Sequence, residues 1–153
     1  MADVPDLLTR EGVRLGCTAT DRFDAVRQTG ELLLELGAVE PAYLDAMQER
    51  ERMVPSYVGE GFALPHGTDE ARAYVRRPCL VFLQFPDGVD WDGDEAKACV
   101  GIAAARDEHV SVMAALARIL LEPDKAEALR TTDDPDEVVR LLTSQAEAKE
   151  EVP

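Results

Sequence analysis

The residues of this sequence best suited to chemistry at neutral pH are its two histidines, His66 and His109. An unperturbed imidazole has a pKa of about 6.5, so at neutral pH it is largely uncharged and can serve as a nucleophile or a proton carrier. Because the sequence contains no third histidine, any imidazole chemistry depends on one or both of these side chains.

The surroundings of His66 are typical of a functional position at the end of a strand. An apolar stretch, residues 61–64, leads into Pro65, and Gly67 follows the histidine. Proline fixes the exit direction of the chain, and glycine lets a ligand approach the backbone closely. Residues 68–70 resemble the start of a helical turn, whose free N–H groups can face an anion. The alternative is a structural histidine that only caps the edge of the strand.

His109 has a similar setting. It follows the short apolar run Ala98–Ala105 and precedes a helical pattern, so it also lies where a predicted strand ends. A structural or surface role is the alternative for this histidine taken alone. If the two predicted strands are neighbours, the imidazoles of His66 and His109 can meet at one edge of the sheet.

A neutral imidazole that attacks a phosphoryl group needs cations for the phosphoryl oxygens, and arginine suits this task because its planar fork binds oxyanions in a bidentate manner. Spacing alone does not choose among the arginine candidates, which are Arg50, Arg52, Arg72, Arg76, Arg77 and Arg106.

Other kinds of site are not indicated. The sequence has no H-x-x-x-H or H-E-x-x-H zinc motif, no Gly-rich nucleotide loop with Lys-Ser/Thr and no G-x-S-x-G nucleophile elbow. We therefore expect neither a metal nor a cofactor, and a phosphoryl group would have to come from another protein.

Composition limits the class of protein and its partners. The chain has 153 residues, enough for one domain with its own core, and a formal net charge of −15. That charge disfavours nucleic acid and anionic membranes and favours a basic protein partner. No apolar run is long enough to span a bilayer, and no secretory signal is visible. The odd, widely spaced cysteines, Cys17, Cys79 and Cys99, indicate a reducing compartment, and we expect a cytoplasmic protein.

Alternating hydrophobicity, helical periodicity and turn residues predict the elements that position the histidines. Strands are expected within Gly12–Cys17, Tyr57–Pro65, Pro78–Pro86 and Ala98–Ala105. Turns are expected at Asp87-Gly88 and Asp92-Gly93. Helices are expected from an N-cap at Thr20 or Asp21 to Gly37, Pro41 to Arg52, Val110 to Leu120, Pro123 to Leu129, and from about Pro135 to Leu142.

This order of elements predicts an α/β fold, a single layered domain in which helices flank a mixed β-sheet. We expect the domain to cover residues 7–144, between a loose N-terminus at 1–6 and an acidic C-terminal tail at 145–153. The order of the strands in the sheet does not follow from the sequence.

The segment Gly59–Thr68 resembles the active-site signature of the mannitol/fructose class of EIIA components, the type 2 EIIA fold of the bacterial phosphoenolpyruvate-dependent sugar phosphotransferase system (PTS). Three further segments resemble the same family in the same order: Met47–Arg52, Gln84–Val89, and Gly101–Ala105 followed by Glu108-His109.

This resemblance implies a phosphoryl relay. His66 matches the family's phosphorylated histidine, a candidate for phosphorylation at the tele nitrogen Nε2, although the sequence does not determine which ring nitrogen is used. His66 would accept the group from phospho-HPr and pass it to a cysteine of an EIIB domain. His109 matches the second active-site histidine, and Arg50 matches an arginine that offsets the phosphate charge.

The resemblance says less about which sugar is transported than about the phosphoryl-transfer chemistry. The segment Pro55–Glu60 and the pair Gly67-Thr68 resemble mannitol-type proteins, so a mannitol phosphocarrier is the main interpretation. The alternative is a regulatory, nitrogen-type EIIA-like module, in which phosphorylation of the same histidine switches affinity for a target protein.

Overall fold

The computed structural model describes residues 7–104 and 106–142, with the side chains of 106–108 left out. The predicted loose N-terminus at 1–6 lies outside the described residues, as does the acidic tail at 145–153. No helix in the described part of the chain combines the length and the apolar character needed to cross a bilayer.

The architecture is a mixed five-stranded sheet with helices on both faces, which confirms the predicted fold class. The strands are β1 (Val13–Arg14), β2 (Tyr57–Gly59), β3 (Phe62–Ala63), β4 (Cys79–Trp91) and β5 (Asp94–Ala103). The helices are α1 (Arg22–Glu35), α2 (Ala42–Met53), α3 (Arg106–Leu120), α4 (Pro123–Thr131) and α5, which is described over 135–142. The strand order is β1-β4-β5-β3-β2, with β1–β4 and β3–β5 parallel and the other pairs antiparallel.

Side chains along the central strands point alternately to the two faces of the sheet and divide the core into two layers. On β4, Leu80 and Phe82 pack against the α3 side of the sheet, where Leu116 is fully buried. Val81 and Leu83 face the opposite layer, with Leu33 of α1. Because side chains alternate between faces along a strand, apolar residues at successive positions bury both faces of β4.

The turn predicted at Asp87-Gly88 is wrong. β4 continues through these residues to Trp91, because the hairpin with β5 resumes its pairing beyond them. Gln84 pairs with Ala98 and Val89 with Ala96, so β4 uses more residues than β5 over this stretch and bulges. The hairpin turns instead at the second predicted position, Asp92-Gly93, where both residues have positive φ.

A buried carboxylate ties four elements together next to Arg50. Glu51 on α2 is 1% exposed and accepts hydrogen bonds from Ser56 Oγ at 2.7 Å and Trp91 Nε1 at 2.8 Å. Its Oε2 also lies 3.4 Å from Nε of Arg22, the first residue of α1. These contacts fix the C-terminal turn of α2 against β2, β4 and α1.

Replacing Glu51 with alanine is expected to destabilise the fold by about 3 kcal/mol, because buried donors and the Arg22 guanidinium lose their partner. Urea unfolding followed by circular dichroism measures the change. Glu95→Ala is the matched control, since this carboxylate is exposed and its contact with Lys97 spans 3.7 Å; it should cost less than about 1 kcal/mol. Equal losses for the two variants would show that Glu51 is not a structural anchor.

Candidate functional site

The structure places His66 immediately beyond β3, at the end of the sheet where β5 also ends. The ladder between β3 and β5 extends to an isolated parallel bridge between His66 and Ile102. The Ile102 N–H donates to the Pro65 carbonyl at 3.0 Å. These contacts hold the backbone of His66 in register with β5, so the predicted position at a strand end is confirmed.

His109 lies in the first turns of α3, shortly after β5 ends. Its ring centroid is 4.7 Å from that of His66, and the two rings cross at 69° in an edge-to-face arrangement. Because β3 and β5 are neighbours, the chain brings together two imidazoles that are far apart in sequence, as the strand-end positions predicted.

One hydrogen bond fixes the chemical state of His66. Its Nδ1 lies 3.0 Å from the carbonyl oxygen of Gly67. A carbonyl only accepts hydrogen bonds, so Nδ1 is assigned as the nitrogen that carries the proton in the neutral ring. The other nitrogen, Nε2, therefore keeps its lone pair, which makes it the ring nitrogen able to act as a nucleophile.

Burial keeps both histidines uncharged at neutral pH. It lowers the pKa of His66 to about 4; the neighbouring His109 and Arg50 act in the same direction, whereas the Gly67 hydrogen bond and Asp69 oppose them. Burial also lowers the pKa of His109, with Arg72 and Arg50 contributing. A neutral ring at pH 7 is the form that can attack an electrophile.

Two arginines act on the histidine pair. Arg50, near the end of α2, donates from Nη1 to the Val54 carbonyl at 3.1 Å and lowers the pKa of both imidazoles. Arg72 lies in the short 3₁₀ segment Asp69–Tyr74, forms an ion pair with Asp69 at 3.2 Å and lowers the pKa of His109. Sequence analysis included Arg72 among six arginines but did not single it out.

The other candidate arginines do not stand out at the site. Arg77 donates to the Leu36 carbonyl at 2.7 Å, and Arg52 lines an adjoining cavity with Ala42 and Tyr74. The side chain of Arg106 lies outside the described residues. Only the fold, by bringing the C-terminal turn of α2 to the end of β3, distinguishes Arg50 from these.

The surface beside the histidines is both charged and apolar. A cavity of ≈ 550 Å³ is lined by Glu49, Arg50, Met53, Thr68, Asp69 and Glu70. Met53, Val54 and Val110, which we call the apolar rim, are at least half exposed, although their side chains are hydrophobic. Phe62 and Leu64, by contrast, are buried in the core, so they do not form a docking surface.

Sequence reasoning missed the residue that contacts the backbone beside His66. Tyr43 of α2 accepts a hydrogen bond from the Gly67 N–H at 2.9 Å. Its position on an apolar helix face indicated packing only, and its partner lies 24 residues away in the chain. No local pattern reports such a contact.

We expect a histidine titration by NMR to give a pKa of about 4 for His66. The folded-state pKa lies below the unfolded value of about 6.5, so the folded chain binds fewer protons between these values. Acidification through that window should therefore destabilise the fold, whereas the ring stays neutral above it. A measured pKa near 6.5 would contradict the burial of this imidazole.

The control for this titration tests whether Arg50 acts on the pKa of His66 through its charge. Arg50→Ala should raise the pKa of His66, because the guanidinium disfavours a second positive charge nearby. Arg50→Lys keeps the charge and should leave the pKa close to that of the unmodified chain. The same shift in both variants would show that Arg50 does not act on His66 through its charge.

Comparisons with known proteins agree with this geometry. Residues 6–145 match the family described as "Phosphoenolpyruvate-dependent sugar phosphotransferase system, EIIA 2". The chain is 44% identical over 140 residues to a "PTS system mannitol-specific EIICBA component" of Pasteurella multocida, a match that covers 89% of this chain but 22% of that protein.

Two other similar proteins are covered almost completely. The chain is 35% identical to a "Mannitol-specific phosphotransferase enzyme IIA component" of Staphylococcus aureus, over 90% of this chain and 95% of that protein. A solved complex of enzyme IIAMTL with phosphorylated enzyme IIBMTL from Escherichia coli contains a chain with 39% identity and a TM-score of 0.85. That similarity covers 90% of this chain and 97% of the other.

Proposed function

Because this chain belongs to the EIIA 2 family of the phosphoenolpyruvate-dependent sugar phosphotransferase system, we propose that it is a mannitol phosphocarrier. In this role His66 accepts a phosphoryl group from phospho-HPr and passes it to a cysteine of an EIIB domain. His109 and Arg50 support the transferred group.

The observation that carries this proposal is the state of His66 beside its neighbours. Its Nδ1 is occupied by the Gly67 carbonyl at 3.0 Å, which leaves the Nε2 lone pair for attack. The His109 ring lies at 4.7 Å between centroids, and Arg50 is close enough to lower the pKa of His66. A neutral nucleophile next to a fixed cation is the arrangement that phosphoryl transfer requires.

In the accepting step, the Nε2 lone pair attacks phosphorus while the bond between phosphorus and the donor breaks. The donor leaves with the bonding electrons, and the proton on Nδ1 stays in place. The phosphorylated ring then carries a positive charge shared between its nitrogens, which the Gly67 carbonyl stabilises as acceptor. Arg50 and Arg72 offset the negative charge of the phosphoryl oxygens.

In the donating step, a cysteine thiolate of the acceptor attacks the same phosphorus, and the N–P bond breaks. The electrons return to Nε2, so His66 regains its neutral form with Nδ1 protonated. His66 therefore needs no proton transfer at Nδ1 in either direction, and one hydrogen bond serves both states.

The surface of the chain suits brief contacts with two successive proteins. A net charge of −15 attracts a basic partner and speeds encounter. The apolar rim, with Met53 67% exposed and Val110 67% exposed, offers contact area beside the charged residues of the site. The three free cysteines are those of a protein in a reducing compartment, so we place this relay in the cytoplasm.

Mannitol as the transported sugar is supported by the names of the relatives above, one of which is a separate IIA component of similar length. The chain spans only 16–22% of the length of several curated relatives that it matches, including the mannitol-specific EIICBA component. The further activities of those longer proteins are therefore not assigned to it. No contact in the described structure favours the regulatory alternative.

The experiment is a reconstituted relay. The purified chain is incubated with phosphoenolpyruvate, Enzyme I and HPr, and the phosphorylated form is then mixed with the EIIB domain of a mannitol permease or, as the control, of a fructose permease. We expect transfer to the mannitol EIIB at least tenfold faster. A phosphorylated chain that transfers to neither domain would overturn the transport role and support the regulatory alternative.

A further inference from the structure

The glycine after His66 needs an external restraint, and Tyr43 supplies one. Glycine populates more backbone conformations than other residues, yet the Gly67 carbonyl must stay 3.0 Å from Nδ1 of His66 to define its tautomer. In this structure the Gly67 N–H donates to the Tyr43 hydroxyl at 2.9 Å. The residue whose carbonyl orients the imidazole is thus held from its other side by a tyrosine.

The roles of donor and acceptor at this tyrosine are fixed by its partners. The Tyr43 hydroxyl donates to the Ile102 carbonyl at 2.9 Å and accepts from the Gly67 N–H. Tyr43 is only 4% exposed, and burial raises the pKa of its phenol, so the hydroxyl keeps its proton at neutral pH. One hydroxyl therefore joins the end of β5 to the loop that follows His66.

The aromatic ring adds a second restraint. A Cβ atom built at Gly67 would lie 2.7 Å from Cε1 of Tyr43, closer than real contacts of this kind. The ring thus packs directly against the Gly67 backbone, and only glycine fits beneath it. The hydrogen bond and the ring packing together limit rotation of the Gly67 backbone.

We propose that Tyr43 is a positioning residue for phosphoryl transfer: it holds Gly67 so that the Gly67 carbonyl keeps the proton on Nδ1 of His66 and leaves Nε2 open. The expected effect of Tyr43 on the transfer rate rests on the proposed function, whereas its effect on the tautomer of His66 does not depend on that function. Tyr43 is a positioning residue because it acts on His66 through the Gly67 backbone.

The test compares two Tyr→Phe variants of the full chain. Tyr43→Phe removes the hydroxyl beside Gly67. Tyr57→Phe is the matched control, because the Tyr57 hydroxyl also accepts from a glycine N–H, that of Gly61, at 3.0 Å. Each substitution deletes one oxygen and one hydrogen bond from a glycine N–H, but Tyr43→Phe also deletes the hydrogen bond to the Ile102 carbonyl. Urea unfolding of both variants therefore separates a general loss of stability from the effect at His66.

The first readout is the nitrogen spectrum of His66 in the unphosphorylated chain, recorded by long-range ¹H–¹⁵N NMR above pH 7. The unmodified chain and Tyr57→Phe should show a protonated Nδ1 and an unprotonated Nε2. In Tyr43→Phe the two shifts should move towards each other as the tautomers mix. Identical spectra for all three chains, or an equal change in both variants, would overturn the proposal.

The second readout is phosphoryl acceptance from phospho-HPr. We expect Tyr43→Phe to lower kcat by about tenfold, the scale of one lost hydrogen bond, with KM for the donor unchanged because the docking surface is intact. A rise in KM with kcat unchanged would overturn the positioning role. If the unmodified chain accepts no phosphate, the proposed function fails, whereas the tautomer comparison still decides the role of Tyr43.

A second variant covers the case in which Tyr43→Phe does not fold. Gly67→Ala keeps the hydroxyl but places a methyl group against the tyrosine ring, so the ring and the backbone of residue 67 must move apart. It should produce the same mixing of tautomers, and an unchanged His66 spectrum in this variant would contradict the proposal independently.

Discussion

His66→Ala is expected to lower the rate of phosphate acceptance from phospho-HPr by at least about 10³-fold, because the variant lacks the proposed nucleophile. In the proposed relay, Nε2 of His66 is the atom that forms the new bond, and His109 on α3 has a supporting role. Intact-mass measurement after incubation with the full relay gives the result directly.

The control for this variant is a test of whether His66→Ala still folds. His66 is only partly buried, and among the described residues its side chain makes one hydrogen bond, to its neighbour Gly67. The variant should therefore show the circular dichroism spectrum of the unmodified chain. A folded His66→Ala chain that still gains one phosphate would show that another residue is the acceptor.

His109→Ala is expected to accept the phosphoryl group but to pass it to EIIB about 10²-fold more slowly, the scale of one lost donor at a reacting phosphate. The His109 ring lies 4.7 Å from that of His66. A dianionic phosphoryl group on His66 raises the affinity of His109 for a proton, so this ring can then donate a hydrogen bond to a phosphoryl oxygen.

His109→Gln is the matched variant for this prediction, because glutamine retains an N–H donor without the imidazole. It should recover part of the lost rate of onward transfer. Rapid-quench transfer from each phosphorylated variant to EIIB separates this step from acceptance. Equal onward rates for the unmodified chain and His109→Ala would remove His109 from the mechanism.

Much of the framework that holds the site follows from local sequence. The Pro65-His66-Gly67 sequence correctly places His66 at a strand end. His109 is predicted just before a helix but lies inside the first turns of α3, which begins at Arg106. Asp21 caps α1 as predicted, through its carboxylate and the Asp24 N–H. These signals are local, since caps, turns and apolar runs depend on neighbouring residues.

The parts that the sequence did not predict depend on distant contacts. β5 begins at Asp94, earlier than the predicted Ala98, because its polar first half is held by pairing with the end of β4. The bulge at Asp87-Gly88 likewise needs the partner strand to be known. Tyr43 and Arg72 reach the site through packing of α2 and the 3₁₀ segment, which no periodicity in their own segments reports.

The most direct test of the central claim is ³¹P NMR of the chain after phosphorylation by phosphoenolpyruvate, Enzyme I and HPr. We expect one acid-labile phosphate with the chemical shift of an Nε2-phosphohistidine, absent in His66→Ala. A signal from Nδ1-phosphohistidine, or an acid-stable phosphate on another residue, would contradict the assignment of Nε2 of His66 as the phosphoryl acceptor.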